Sequence, residues 1–171
     1  MDSLRFDSFT RKIYIRSTLE KMYYCWGTEA GICDWFLRSA SYTTKSLHRR
    51  SPKSFVVAGD NYIWEWHNWD GQESGHILEA NGRDHMVFSF AGNTRVTVDL
   101  QPKSEKVLLS LTQSDIPTDE ASKMNIYMGC SNGWTFWLAN LKAFLEHGIR
   151  LNEIEEDLTK IPLAGFIYVN M

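Results

Sequence analysis

Thr118–Gly148, TDEASKMNIYMGCSNGWTFWLANLKAFLEHG, is the stretch that decides the fold. Its apolar residues Tyr127, Cys130, Trp134, Trp137, Leu138, Leu141, Phe144 and Leu145 recur at three- and four-residue steps, one broad stripe on a helix. Asp119 and Glu120 suit the positive N-terminal end of such a helix, and Lys142 and His147 suit its negative C-terminal end. Gly148 supplies the left-handed residue that commonly stops a helix. Gly129 and Gly133 each weaken a helix interior by up to about 1 kcal/mol relative to alanine. They therefore need a reason, and close approach to a flat surface beside Trp134 is the expected one.

The flat surface is expected to be a sheet, because the chain before Thr118 reads mostly as strands. Phe9, Arg11, Ile13 and Ile15 alternate with polar neighbours, giving a first strand. Ser17 and Glu20 have capping-box spacing, and Leu19, Met22, Tyr23 and Trp26 then fall at helical steps. Gly27 ends that short helix, Thr28 can cap a second, and Ile32, Trp35 and Phe36 line its buried side. Ser39–Leu47 reads as another strand, followed by a basic exposed loop with Arg49, Arg50 and Lys53. Tyr62, Trp64 and Trp66 alternate with Ile63, Glu65 and His67, and Gly75–Ala80 returns after the Asp70-Gly71 turn. Met86, Phe88 and Phe90 share a face, as do Val96, Val98 and Leu100, and then Val107, Leu109 and Leu111. Strands joined by short turns make an antiparallel meander, whose apolar side one long helix must cover.

Bulk numbers exclude several classes. A chain of 171 residues suits one domain. Its net charge of −3 gives no basic footprint for nucleic acid. No window approaches the roughly 20 apolar residues that cross a bilayer. Met1–Thr10 lacks a positive start and an apolar run, so no signal peptide is expected. Three cysteines, Cys25, Cys33 and Cys130, lack close spacing and argue for a reduced, cytoplasmic setting. Seven tryptophans must either pack round a roomy interior or face a partner. The chain divides into a core domain over residues 1–148 and an extension over 149–171. The apolar tail Phe166, Ile167, Tyr168 and Val169 is expected to add a strand to a sheet edge, its own or that of a twofold partner in a homodimer.

Four short motifs, in order, carry a resemblance. Thr28, Ile32, Trp35 and Phe36 resemble the second-helix signature of the activator-of-heat-shock-chaperone-ATPase (AHSA-like) family, within the START-like (SRPBCC) superfamily. Gly59-Asp60-Asn61-Tyr62 leading to Trp64 and Trp66 is similar to its third-strand motif, and Gly75–Glu79 with Met86–Phe90 to its central hairpin. Gly133-Trp134, Leu138, Leu141, Lys142, Leu145, Glu146 and Gly148 resemble its helix signature. The resemblance covers about Phe9 to Gly148. It implies an α+β helix-grip fold: a curved antiparallel sheet wrapped round a long C-terminal helix, with a cavity between them and two short helices after the first strand. It also implies relatives that bind lipids, polyketides or other apolar molecules, a few of them cyclases. The eukaryotic chaperone activator carries this module as its C-terminal half, and its N-terminal domain has no counterpart in this sequence.

The expected cavity walls are Tyr62, Trp64, Trp66, Phe88 and Phe90 on the sheet, facing Trp134, Leu138 and Leu141 on the helix. For these rings, cavity wall and plain core are both open readings, with Trp134 the better candidate for core. Glu79 shares strand phase with Ile77, and a carboxylate turned into such a cavity would have a raised pKa and could donate a proton. His67, His76 and His85 lack metal-ligand spacing, so no metal is expected. No serine elbow, phosphate loop or cysteine–histidine pair supplies a nucleophile, and no cofactor is expected. The function expected is non-catalytic binding of a hydrophobic small molecule or lipid. A protein-interaction module of chaperone-activator type is the alternative, and a cyclase-like enzyme is third.

Overall fold

Pleat alternation builds the sheet, and it is visible strand by strand in the computed structural model, which describes residues 5–171. In β1 (Phe9–Ile15) the two end residues are buried and the middle is partly polar. β2 (Ser39–Thr43), β3 (Asn61–Glu65), β4 (Gln72–Ala80), β5 (His85–Phe90), β6 (Thr94–Lys103) and β7 (Lys106–Ser114) run as a meander. All pairings are antiparallel, in the order β1-β7-β6-β5-β4-β3-β2. Val96, Val98 and Leu100 of β6 and Val107, Leu109 and Leu111 of β7 all turn inward and are buried. β2 stops at Thr43, short of the expected Leu47, because Leu47 takes a left-handed backbone in the turn that follows.

Two short helices follow β1. Thr18, and not Ser17, caps α1 (Leu19–Gly27), accepting from the Lys21 N–H. Thr28 caps α2 (Glu29–Cys33), accepting from the Gly31 N–H at 2.9 Å. The basic loop is neutralised within the chain, Arg49 pairing with Glu29 and Arg50 with the buried Asp60.

The C-terminal helix is continuous from Glu120 to His147 but not uniform. It begins as α3 (Glu120–Ser122), capped by Asp119, winds as a π-helix over Lys123–Met128, and continues as α4 (Gly129–His147). Gly148 closes it at φ 68°, donating to Phe144 O at 2.8 Å. Arg11 of β1 fastens the outer side of α4 by bonds to Thr135 Oγ1 and Ser131 Oγ, and Lys142 Nζ donates to Tyr14 O. The sheet therefore curves round α4 in the helix-grip arrangement.

The tail departs from the expected strand. Leu163 takes a left-handed backbone, and α5 (Ala164–Ile167) is a single helical turn with Ala164 buried. Polar anchors decide its course. Asn140, fully buried in α4, accepts from the Leu151 N–H and donates to Trp35 O. Asn68 donates to Glu153 O and accepts from the Leu158 N–H, each at 2.9 Å. Strand propensity in Phe166–Val169 is weak beside such fixed attachments.

Candidate functional site: an aromatic cleft

The interior nearest the middle of α4 is filled with rings. Tyr62 and Trp64 stack at 4.2 Å, Trp64 meets Phe88 edge-on at 5.2 Å, and all three are fully buried. Gly75 makes room for this. A Cβ there would lie 2.7 Å from the Tyr62 hydroxyl, which donates to Ser89 O at 2.6 Å. That hydroxyl is engaged by the backbone. Leu138 and Leu141 close the same core from the helix. Rings from α1 and from the segment that follows α2 fill this space from its other side. Trp26 lies 6.0 Å from Trp134, and Phe36 lies 5.3 Å from it. Tyr62, Trp64, Phe88, Leu138 and Leu141 are therefore core and not cavity wall.

Space remains beyond Trp64, where β3 ends and the π-helix joins α4. Here Trp66, Phe90, Trp134 and Trp137, with Phe36 and Trp69, line a cleft of about 450 Å³. Trp66 stands edge-on to Phe36 at 5.4 Å and to Trp69 at 5.3 Å, so the rings brace one another. Trp69 lies across the turn because Gly71 has no side chain: a Cβ there would sit 2.5 Å from the indole. Trp134 is fixed by a buried polar chain, its Nε1 donating to Gln113 Oε1 at 3.0 Å, and Gln113 Nε2 to Thr94 Oγ1 at 2.9 Å.

Gly129 and Gly133 form the helix side of the cleft, and this corrects their expected role. A Cβ built on either meets nothing within 4 Å, so neither lets the helix approach the sheet. Their missing side chains leave the cleft open. It continues outward into a larger space of about 920 Å³, bounded by Met124 and Met128 of the π-helix and by Phe166, Tyr168 and Val169 of the tail. π-helical turns recur at functional sites, and this one exposes both methionines at the cleft mouth.

Glu79 is outside, its side chain 60% exposed and bonded to His85. A β-bulge between Ile77 and Glu79 explains the error: it inserts Leu78 and turns Glu79 to the outer face opposite Val87. The inward carboxylate is Glu73, which sits opposite Trp64 and in phase with Gly75 and Ile77. It lines the outer cleft and accepts from the Ala91 N–H at 2.8 Å. Burial pushes its carboxyl above the usual range, against that hydrogen bond. Counting back by two from Ile77 finds Glu73, but the sequence reading starts this strand at Gly75 and so stops short of it.

His67 lines the outer cleft, and its pKa is lowered by burial and then by Arg150 and Arg38. Cys130 lines the inner cleft, its thiol pKa raised by burial. His85 bridges Asp99 and Glu79 on the outer sheet face, which raises its pKa, and His76 pairs with Asn61. Among the described residues no group of three His, Cys, Asp or Glu side chains is placed to hold a metal ion.

The sequence profile described as Activator of Hsp90 ATPase homolog 1-like protein matches residues 16–146. No curated protein matches the sequence. Among solved structures, protein SSP2350 from Staphylococcus saprophyticus is similar at TM-score 0.66 and 16% identity, covering 84% of this chain and 94% of that one. The Aha1 dimer from Colwellia psychrerythraea gives 0.64 at 18% identity, covering 82% and 97%. CalU16 from Micromonospora echinospora gives 0.61 at 17% identity, covering 82% and 77%. At these identities the likeness is one of fold.

Proposed function

This chain belongs to the Activator of Hsp90 ATPase homolog 1-like family, and we propose that it binds a hydrophobic small molecule or lipid, without catalysing a reaction, in the cleft between α4 and the β3–β5 end of the sheet. The observation that carries this reading is the pair Gly129 and Gly133. A helix that forgoes side chains at two positions facing tryptophans keeps a space that packing alone would close. Its volume of about 450 Å³ lies within the range of small-molecule sites. Its walls are rings with few polar groups, so shape governs selection more than hydrogen bonding does. The unpaired thiols of Cys25, Cys33 and Cys130 suit the reducing, cytoplasmic setting proposed for it.

Titration with Nile red, a neutral apolar dye, tests the reading. Saturable one-to-one binding with quenching of tryptophan fluorescence is expected. A linear, non-saturating response would remove the ligand-binding function.

A second reading, an interaction module, is supported by the tail. Phe166 is 89% and Val169 83% exposed beside the cleft mouth. The partner proposed for this surface is a second copy of the chain.

A further inference from the structure

Resting on the cleft as a ligand site, we propose that the ligand it takes is an organic cation: an apolar or aromatic body bearing a substituted ammonium group, seated among the rings beside Glu73.

The charge of the lining points this way. Glu73 contributes a carboxylate, while no lysine or arginine lines either part of the cleft. Burial, with Arg150 and Arg38, lowers the His67 pKa and so disfavours a positive charge on its imidazole. Arg150 and Arg38 act on His67 without lining the cleft, so an anionic head group would meet Glu73 with no cationic side chain among the lining residues. A neutral ligand would cover the carboxylate further and leave it without an ionic partner, which is costly. Among the described residues Glu73 forms no ion pair, and it lines the outer cleft together with Trp66, Trp69 and Phe90.

Those rings are the second argument. Aromatic faces carry a negative quadrupole, and tryptophan binds cations most strongly among them. Trp66 and Trp69 stand 5.3 Å apart at 65°, and Trp66 and Phe90 6.3 Å apart at 66°, so the walls meet at an angle. A bare metal ion would demand several oxygen ligands, which the lining does not supply. A primary ammonium holds its water strongly, whereas a substituted ammonium sheds water easily and presents methyl or methylene groups to the rings. Glu73 loses part of its hydration by lining the cleft, and a weakly hydrated cation is the partner that offsets that loss.

Competition against bound Nile red tests this, using benzyltrimethylammonium and its carbon isostere neopentylbenzene on the parent and on Glu73→Gln. The glutamine keeps an acceptor for the Ala91 N–H and removes the charge. The expected result is that Glu73→Gln weakens the cation by roughly tenfold more than it weakens the isostere or Nile red, between the surface and the buried ion-pair cases. Trp69→Leu, at the exposed rim, should likewise weaken the cation more than the isostere. Equal shifts for cation and isostere in both variants, or failure of the cation to displace the dye, would overturn the proposal while leaving the cleft as a site for neutral ligands. If Nile red itself does not bind the parent, the cleft reading fails and the cation goes with it.

Discussion

Trp134 joins helix, sheet and short helices at one residue. Its ring meets Phe36, Phe90 and Trp26, and its Nε1 ends the chain of bonds through Gln113 to Thr94. Trp134→Ala deletes the ring and leaves the buried Gln113 carbonyl without its donor. The expected loss is about 3–5 kcal/mol, a large share of the roughly 5–15 kcal/mol that holds a domain folded. A thermal melt within a few degrees of the parent would show that Trp134 anchors nothing. Glu73 works in the opposite sense. Its pKa is raised on folding, so it stabilises the fold while protonated, and that contribution disappears as pH rises through the folded value. Glu73→Gln, measured as melting temperature relative to the parent, should therefore compare more favourably at pH 7 than at pH 4. Equal differences at the two pH values would mean the carboxylate is fully hydrated.

Among the elements, the tail and the helix carry the cleft. Removing Leu163–Met171 takes away the wall formed by Phe166, Tyr168 and Val169 but none of the rings round the inner cleft. Nile red should still bind and should leave several-fold faster in stopped-flow displacement; an unchanged release rate would mean the tail does not cover the site. The elements themselves were legible from periodicity: the seven strands, both short helices and the Gly148 stop all follow from alternation, helical spacing and turn chemistry. What escaped that reasoning was decided by single residues acting at a distance. The Leu78 bulge shifts strand phase by one and turns Glu79 outward, and nothing local in the sequence announces it, whereas Glu73 keeps the plain alternation of Ile77 but lies before the expected start of the strand. Trp64 and Phe88 have the alternation of a wall, but whether a wall faces space depends on Trp26, Trp35 and Phe36 arriving from α1 and from the segment that follows α2. Gly129 and Gly133 are conspicuous in a helical stretch, yet their purpose depends on what lies opposite them. The tail looked like a strand because propensity is local, while its course is set by Asn68 and Asn140 from elsewhere in the chain.

For the molecule as a whole, α4 in the grip of the sheet leaves one end packed and the other open. No described helix is long and apolar enough to cross a membrane. The open end gathers Met124, Phe166 and Val169 at the surface. If a second copy covers them, sedimentation velocity should show a dimer for the parent and a monomer for the Leu163–Met171 deletion. A parent that sediments as a monomer at all concentrations would remove that assembly. The cleft itself is tested most directly by filling it from the helix with Gly129→Leu and Gly133→Leu together. Both positions are helical with open space beyond, so leucine should keep or raise the melting temperature, by up to about 1 kcal/mol per site in helix propensity. The variant should nonetheless lose saturable Nile red binding. A variant that melts like the parent and binds the dye as tightly would contradict the account, because the ligand would then be held somewhere other than the space these glycines keep open.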